Sequence, residues 1–292
     1  MVSPYPPNTV RSGVHPVYAR LLRMLLERAD VDSDRVLASA QLRWDTLVRD
    51  DTRLEPATVA CLVQAAIAAT GKPWLGLDLG WQAPISAHGD LAYAAVTAPD
   101  LGTALAVLAR YGALRDDTFA WSISHGPQGV RLQALQQMQW GPANAFVMDV
   151  VVAAFLRVIE ASLGQWPAGV RLELPTRQPT WAAQYARVTP LHVVFDQPSL
   201  AFVFDGGTLI LPCIGSDAEA HANACRACET ALGALAPASC AQKVRHLLAK
   251  GGAVRYPQLD AVAAQCGVSP RTLMRQLRAE GTSYQALLDA QR

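Results

Sequence analysis

Three arginines near the carboxyl end, Arg271, Arg275 and Arg278, recur at helical spacing. On a wheel of 100° per residue they fall within about 60° of one another, and Leu273 and Leu277 lie on the far side. A helix with one apolar face and one guanidinium face suits a polyanion. Arg can hold guanine O6 and N7 in a DNA major groove with two hydrogen bonds, worth ~1–3 kcal/mol of base discrimination. The plain alternative is a solvated helix face, in a chain whose arginines outnumber its lysines 22 to 3.

The residues before this helix favour the first reading. Leu259 to Leu277 reads LDAVAAQCGVSPRTLMRQL. Ala263 is small enough to let two short helices cross closely. Gly267 can adopt the left-handed turn conformation that costs other residues ~1–2 kcal/mol. Ser269 is a good N-cap, and Pro270 suits the first helical position. Together they predict a helix-turn-helix whose second helix begins near Pro270 and presents its N-terminal half to a major groove.

Charge agrees with a separate basic module. The 292 residues carry a net charge of +1. From residue 241 onward, Lys243, Arg245, Lys250, Arg255, Arg271, Arg275, Arg278 and Arg292 face only Asp260, Glu280 and Asp289, a balance of +5 that leaves −4 for residues 1–240. Such asymmetry marks a small basic unit joined to a larger, near-neutral one.

Other chemistry is poorly supported. Catalysis needs a nucleophile with a base, paired carboxylates or metal ligands. His88 with Asp90, and His192 near Asp196, have no G-x-S-x-G or comparable companion, so no catalytic residue is assigned and an enzyme is not expected. His221, Cys225 and Cys228 sit at i, i+4 and i+7, one helix face that would suit a metal ion or a thiol switch. No fourth ligand is evident and buried cysteine is a common small hydrophobe, so no metal site and no cofactor is assigned. Trp121, Trp140, Phe146 and Trp166 are candidates for an apolar pocket, with core packing the plainer role.

The elements that must position these residues read as an α+β N-terminal domain, 1–235, followed by an all-α helix-turn-helix domain, 236–292. The first hundred residues are helical, with clear segments at His15–Ala29, Ala57–Ala69 (Pro56 at its start, Gly71 at its end) and Asp100–Tyr111. Phe119–Ile123 and Val130–Leu135 alternate about a Gly/Pro connector as a hairpin. A long apolar helix runs from Gly141-Pro142 to Leu163. Strands follow at Val170–Leu174, Leu191–Phe195 and Leu200–Phe204, with a helix-like stretch at Thr180–Arg187 between the first two. Ser216–Leu235 is again helical, and Ala236-Pro237-Ala238-Ser239 looks like a linker. Hydrophobic residues make up 51% and charged residues 17%, which excludes a disordered chain. The most apolar stretch, Phe146–Leu156, is broken by Asp149 and followed by Arg157, which excludes a ~20-residue membrane span. With no secretory leader visible and six sparse cysteines, a cytoplasmic setting is expected.

The tail resembles the first helix-turn-helix of the AraC/XylS family of transcription regulators. The likeness is carried by Val262-Ala263, Gly267-Val268-Ser269-Pro270-Arg271-Thr272-Leu273 and Glu280-Gly281-Thr282-Ser283-Tyr284. It implies that Arg271, Met274 and Arg275 point at bases, with Ser269 and Thr272 completing the DNA-contacting set; Met274 suits apolar contact with a thymine methyl better than a hydrogen bond. Thr282-Ser283-Tyr284-Gln285 would open the helix joining this unit to a second one, so a chain ending at Arg292 is expected to be truncated after the first helix-turn-helix and to bind DNA weakly by itself. Residues Val17 to Leu235 resemble the arabinose-binding-type N-terminal domain of one branch of that family, which includes regulators of ornithine use. The carrying segments are His88-Gly89-Asp90-Leu91-Ala92-Tyr93-Ala94, Thr97 to Leu105 and Ala201-Phe202-Val203-Phe204-Asp205.

The resemblance implies an effector-responsive regulator, most often an activator, whose partners are double-stranded DNA, a small-molecule effector of unassigned site, a second copy of the chain and RNA polymerase. Two alternatives stay open: a small-molecule enzyme or binding protein with an interaction tail, and a metal or thiol sensor using Cys225 and Cys228.

Overall fold

The computed structural model describes residues 13–49, 52–126, 129–235, 240, 244, 247–248, 257–266, 268–279 and 282–289. They fall into two compact units, the larger within residues 11–232 and the smaller within 233–292. Gly267, the predicted turn glycine, and the predicted linker 236–239 lie outside the described residues. So do five of the eight basic residues counted above, Lys243, Arg245, Lys250, Arg255 and Arg292.

Helices build the first half of the larger unit: α1 (Val17–Arg28), α2 (Ser33–Ser39), α3 (Trp44–Arg49), α4 (Pro56–Thr70), α5 (Leu75–Gln82), α6 (Asp90–Val96) and α7 (Leu101–Tyr111). Their ends follow local chemistry. Asp32 and Asp100 cap α2 and α7, accepting hydrogen bonds from the Arg35 and Thr103 amides at 3.0 and 2.8 Å. Pro56 starts α4, and Gly71 ends it at φ +66°. α1 buries Leu22, Leu25 and Leu26 along one stripe.

The described residues hold one five-stranded sheet, in the order β1 (Phe119–Gly126), β2 (Gly129–Gln136), β5 (Leu200–Phe204), β3 (Arg171–Glu173), β4 (His192–Val194). All neighbours are antiparallel except β3 and β4. Central β5 is buried along its whole length. Its Phe202 stacks on Phe155 of α8 (Asn144–Leu163), ring centroids 4.4 Å apart. On the opposite face the register sets Val203 between Arg131 and Arg171, and Ala201 between Gln133 and Glu173. The arginine stems can thus cover the strand while their heads meet the Glu173 carboxylate. Burial alone would raise the pKa of Glu173; hydrogen bonds and charge from Arg171 and Arg131 together outweigh it and hold the carboxyl below its usual range.

α8 is the axis of the larger unit. α5 crosses it through two glycines: a Cβ on Gly76 would stand 2.4 Å from the Phe146 carbonyl oxygen, and one on Gly80 would stand 2.5 Å from that of Val150. Only the hydrogen of glycine permits this approach. Asp149, 2% exposed on α8, accepts hydrogen bonds from the Tyr185 hydroxyl and from Trp181 Nε1. Burial pushes its carboxyl up to about 7 against the pull of those two donors.

α9 (Ala218–Leu235) lies along α6 and α7 over its part within the larger unit. Asp217 N–H donates to the Thr97 carbonyl at 3.0 Å, His221 Nδ1 hydrogen-bonds the Ala94 carbonyl at 2.8 Å, and the Tyr111 hydroxyl donates to Glu229 at 2.5 Å. In the smaller unit, α10 (Leu259–Gln265), α11 (Pro270–Ala279) and α12 (Tyr284–Asp289) share a core of Val262, Ala263, Leu273, Leu277 and Leu287 with Val244 and Leu248. Among the described residues no helix is long and apolar enough to cross a membrane.

Two details differ from the sequence reading. Thr180–Arg187 forms only a 3-10 helix at Ala182–Arg187. The cap before α12 is Ser283, whose Oγ accepts from the Ala286 amide at 3.1 Å, rather than Thr282.

Candidate functional site

In the smaller unit, α10 and α11 are the two helices the turn signals predict. α11 starts at Pro270 behind Ser269, whose Oγ accepts from the Thr272 amide at 3.2 Å and shares a 2.9 Å hydrogen bond with the Thr272 hydroxyl. The Val268 amide donates to the Ala263 carbonyl at 3.0 Å, closing the corner from the α10 side. Leu273 and Leu277 are fully buried. Arg271, Met274, Arg275 and Arg278 are exposed, on the surface directed away from that core, and Thr272 is half-buried at its edge. Met274 is 39% exposed, an apolar thioether set among guanidinium groups. The five predicted DNA-contacting residues therefore gather on the first two turns of one helix and its cap.

The larger unit contains a small cavity that opens to solvent at its mouth. α1, α6, α7, β1 and α8 surround it. Its wall is mostly apolar, with Leu91, Leu108, Phe119, Trp121, Phe155 and Val158. Trp121 stacks on Phe155 at 5.3 Å with the rings 14° apart. Polar groups collect at one end. The Tyr18 hydroxyl and His88 Nδ1 share a 3.0 Å hydrogen bond, and Arg115 Nε donates to the His88 carbonyl at 2.8 Å. Asp116 accepts from the amide and hydroxyl of Thr118. His88 is 4% exposed, and its Nε2 is buried without a hydrogen-bond partner. Burial, then the Arg115 charge, lowers the His88 pKa to about 4, so the ring is neutral at pH 7. Burial raises Asp116 to about 6 and pushes the Tyr18 phenol well above its ordinary value.

Comparison with known proteins decides the family. Residues 31–213 match the arabinose-binding domain of AraC transcription regulators, N-terminal. The chain belongs to this family. It is 27% identical over 286 residues to the ornithine utilization regulator of Pseudomonas aeruginosa, spanning 97% of this chain and 84% of that protein. The crystal structure of the transcriptional regulator CdpR from Pseudomonas aeruginosa superposes with a TM-score of 0.55 at 20% identity, over 97% of this chain and 84% of that one. At that identity the likeness is one of fold.

The remaining sequence candidates of this AraC-type regulator are dispersed. His88 is brought to Tyr18, 70 residues away, while its sequence neighbour Asp90 opens α6. His192 is exposed on β4. Of the aromatic candidates, Trp121 lines the cavity; Phe146 is in the core, Trp166 stacks on Trp81, and Trp140 is buried with its Nε1 lacking a hydrogen-bond partner. Cys225 Sγ lies 3.7 Å from His221 Nε2. Among the described residues no group of three or more His, Cys, Asp and Glu side chains is placed to hold a metal ion. Burial pushes both thiols up, Cys228 to about 11, away from the thiolate form that metals and oxidants need. The polar end of the cavity was missed as a set, because Tyr18, His88, Arg115 and Asp116 have no common local pattern.

Proposed function

We propose that this protein is an effector-responsive DNA-binding regulator whose α11 reads duplex DNA. Arg271 and Arg275 would contact base edges and Met274 a thymine methyl, while Ser269 and Thr272 hold the helix start against the backbone. The larger domain, 1–235, would bind the effector and pair with a second copy; the smaller, 236–292, would carry the DNA contact. The single observation supporting this is the division of α11 into a buried Leu273/Leu277 face and an exposed Arg271/Met274/Arg275 face behind a capped corner. Activation of transcription through RNA polymerase, in the cytoplasm, is the mode this reading favours, and effector binding would act by stabilising one arrangement of the two copies over another.

The test is selection of a random duplex library on the purified chain, followed by binding of the enriched sequence as salt is varied. An enriched motif is expected. Arg275→Ala should relax preference at one position, costing about tenfold in discrimination. Enrichment of the same motif with the same affinity by Arg271→Ala and Arg275→Ala would overturn the reading. Sedimentation of the chain with and without the enriched duplex reads the homodimer.

A further inference from the structure

The cavity beside β1 has a buried, unpartnered polar atom at one end, His88 Nε2, and a wall of defined shape. Trp121 and Phe155 present parallel ring planes, with Phe202 stacked behind Phe155. Such a wall favours a flat, apolar body by burial and stacking. Buried polar atoms are almost always hydrogen-bonded, and His88 Nε2, buried and unpartnered, marks where an occupant must supply one such bond. Charge at this end is balanced. Arg115 and Asp116 are adjacent and of opposite sign, Arg115 Nε is engaged by the His88 carbonyl, and Asp116 is engaged by Thr118. A carboxylate would enter beside Asp116 and an ammonium beside Arg115. A molecule carrying several charges, such as ornithine, would lose its hydration against a wall that is mostly hydrocarbon.

We propose that this cavity is the effector site, and that its occupant is a compact, uncharged molecule with a ring-sized apolar body and one hydrogen-bonding group set against His88 Nε2. The inference rests on the reading of the larger domain as effector-binding. It assigns that domain a site and a ligand class. The body lies along Trp121 and Phe155; the head group, a hydroxyl, carbonyl or ring N–H, meets the neutral imidazole in whichever tautomer its Tyr18 bond leaves.

The experiment is thermal unfolding and calorimetric titration of the whole chain with indole, phenol and benzyl alcohol, against benzoate, benzylamine and L-ornithine. The neutral compounds should bind and raise the melting temperature by about 5–10 °C at a hundredfold excess over Kd, with quenching of Trp121 fluorescence. His88→Leu should weaken them about five- to tenfold, while His88→Gln, which keeps a polar atom near the Nε2 position, restores most of the loss. Ala154→Phe, which fills the cavity from α8, should abolish binding. Binding of the charged compounds alone overturns the ligand class and leaves an effector-binding domain. Unchanged binding in both His88→Leu and Ala154→Phe overturns the site. No binding by any of the six at millimolar concentration overturns the inference altogether, whereas the DNA selection described above succeeds or fails independently.

Discussion

Replacing Gly80 with alanine sets two known effects against each other. In an exposed helix, Gly→Ala stabilises by about 1 kcal/mol because the unfolded backbone loses freedom. At Gly80 the new methyl would stand 2.5 Å from the Val150 carbonyl oxygen, 2.8 Å from Ala153 Cβ and 2.8 Å from the Ala154 amide nitrogen. Two of these are backbone atoms of α8, so no rotamer change relieves the contact and the helices must part by about 1 Å to reach ordinary separations. Overpacking of this kind costs about 1–3 kcal/mol, and the rigidity of the neighbours places Gly80→Ala at the upper end. The net effect is destabilisation by about 1–2 kcal/mol, a drop of roughly 2–8 °C in the melting temperature of a unit this size. Ala154 also borders the cavity, so affinity for any cavity ligand should fall with it. Gly233→Ala is the control, because the site is exposed on α9 and a Cβ there meets nothing within 4 Å; it should raise stability slightly. Differential scanning calorimetry of both variants measures the difference, and a melting temperature for Gly80→Ala at or above that of the parent would refute the close-crossing account.

Three further outcomes are expected. Asp149, held near 7 in the folded chain, keeps a proton that the unfolded chain releases near pH 4, so its contribution to stability is lost as pH rises through that window, by on the order of 4 kcal/mol; urea unfolding of the parent and Asp149→Asn between pH 5 and 8 should show the variant less pH-sensitive, with the opposing His88 contribution common to both. Ser269→Ala should cost the smaller unit about 1 kcal/mol through the lost cap, while Ser269→Asp should keep the cap and weaken duplex binding by repulsion, so equal DNA affinity for the Asp variant and the parent, measured by fluorescence anisotropy, would remove Ser269 from the DNA surface. Iodoacetamide at pH 8 should label exposed Cys61 well before buried Cys228, and mass spectrometry finding Cys225 and Cys228 modified first would revive a thiol sensor.

Legibility in the sequence tracked locality. α4 is announced by Pro56 and Gly71, and the β1–β2 hairpin by two alternating runs. The small basic helix unit is written in consecutive residues from Ala263 to Leu277, which is why its cap, start and buried leucines were readable. α5 has no clear segment of its own in the sequence because Gly76 and Gly80 interrupt its apolar periodicity, and those glycines serve a partner 70 residues away. The strand order was equally hidden: β5 sits between β2 and β3, and its neighbours are chosen by burial on both faces rather than by any turn. The cavity residues come from five helices and strands and from the segments around His88 and Asp116, spread between Tyr18 and Val158, so only the folded chain brings them together.

α9 is gripped at two places. His221 fastens its first turn to the Ala94 carbonyl on α6, and Glu229, two turns further on and about 12 Å along the axis, takes the Tyr111 hydroxyl and the Arg110 guanidinium at the end of α7. A rod clamped at two separated points tilts when its clamps move unequally. α6 and α7 also supply Leu91 and Leu108 to the cavity wall, so both clamps of the rod are anchored in helices that the cavity shares.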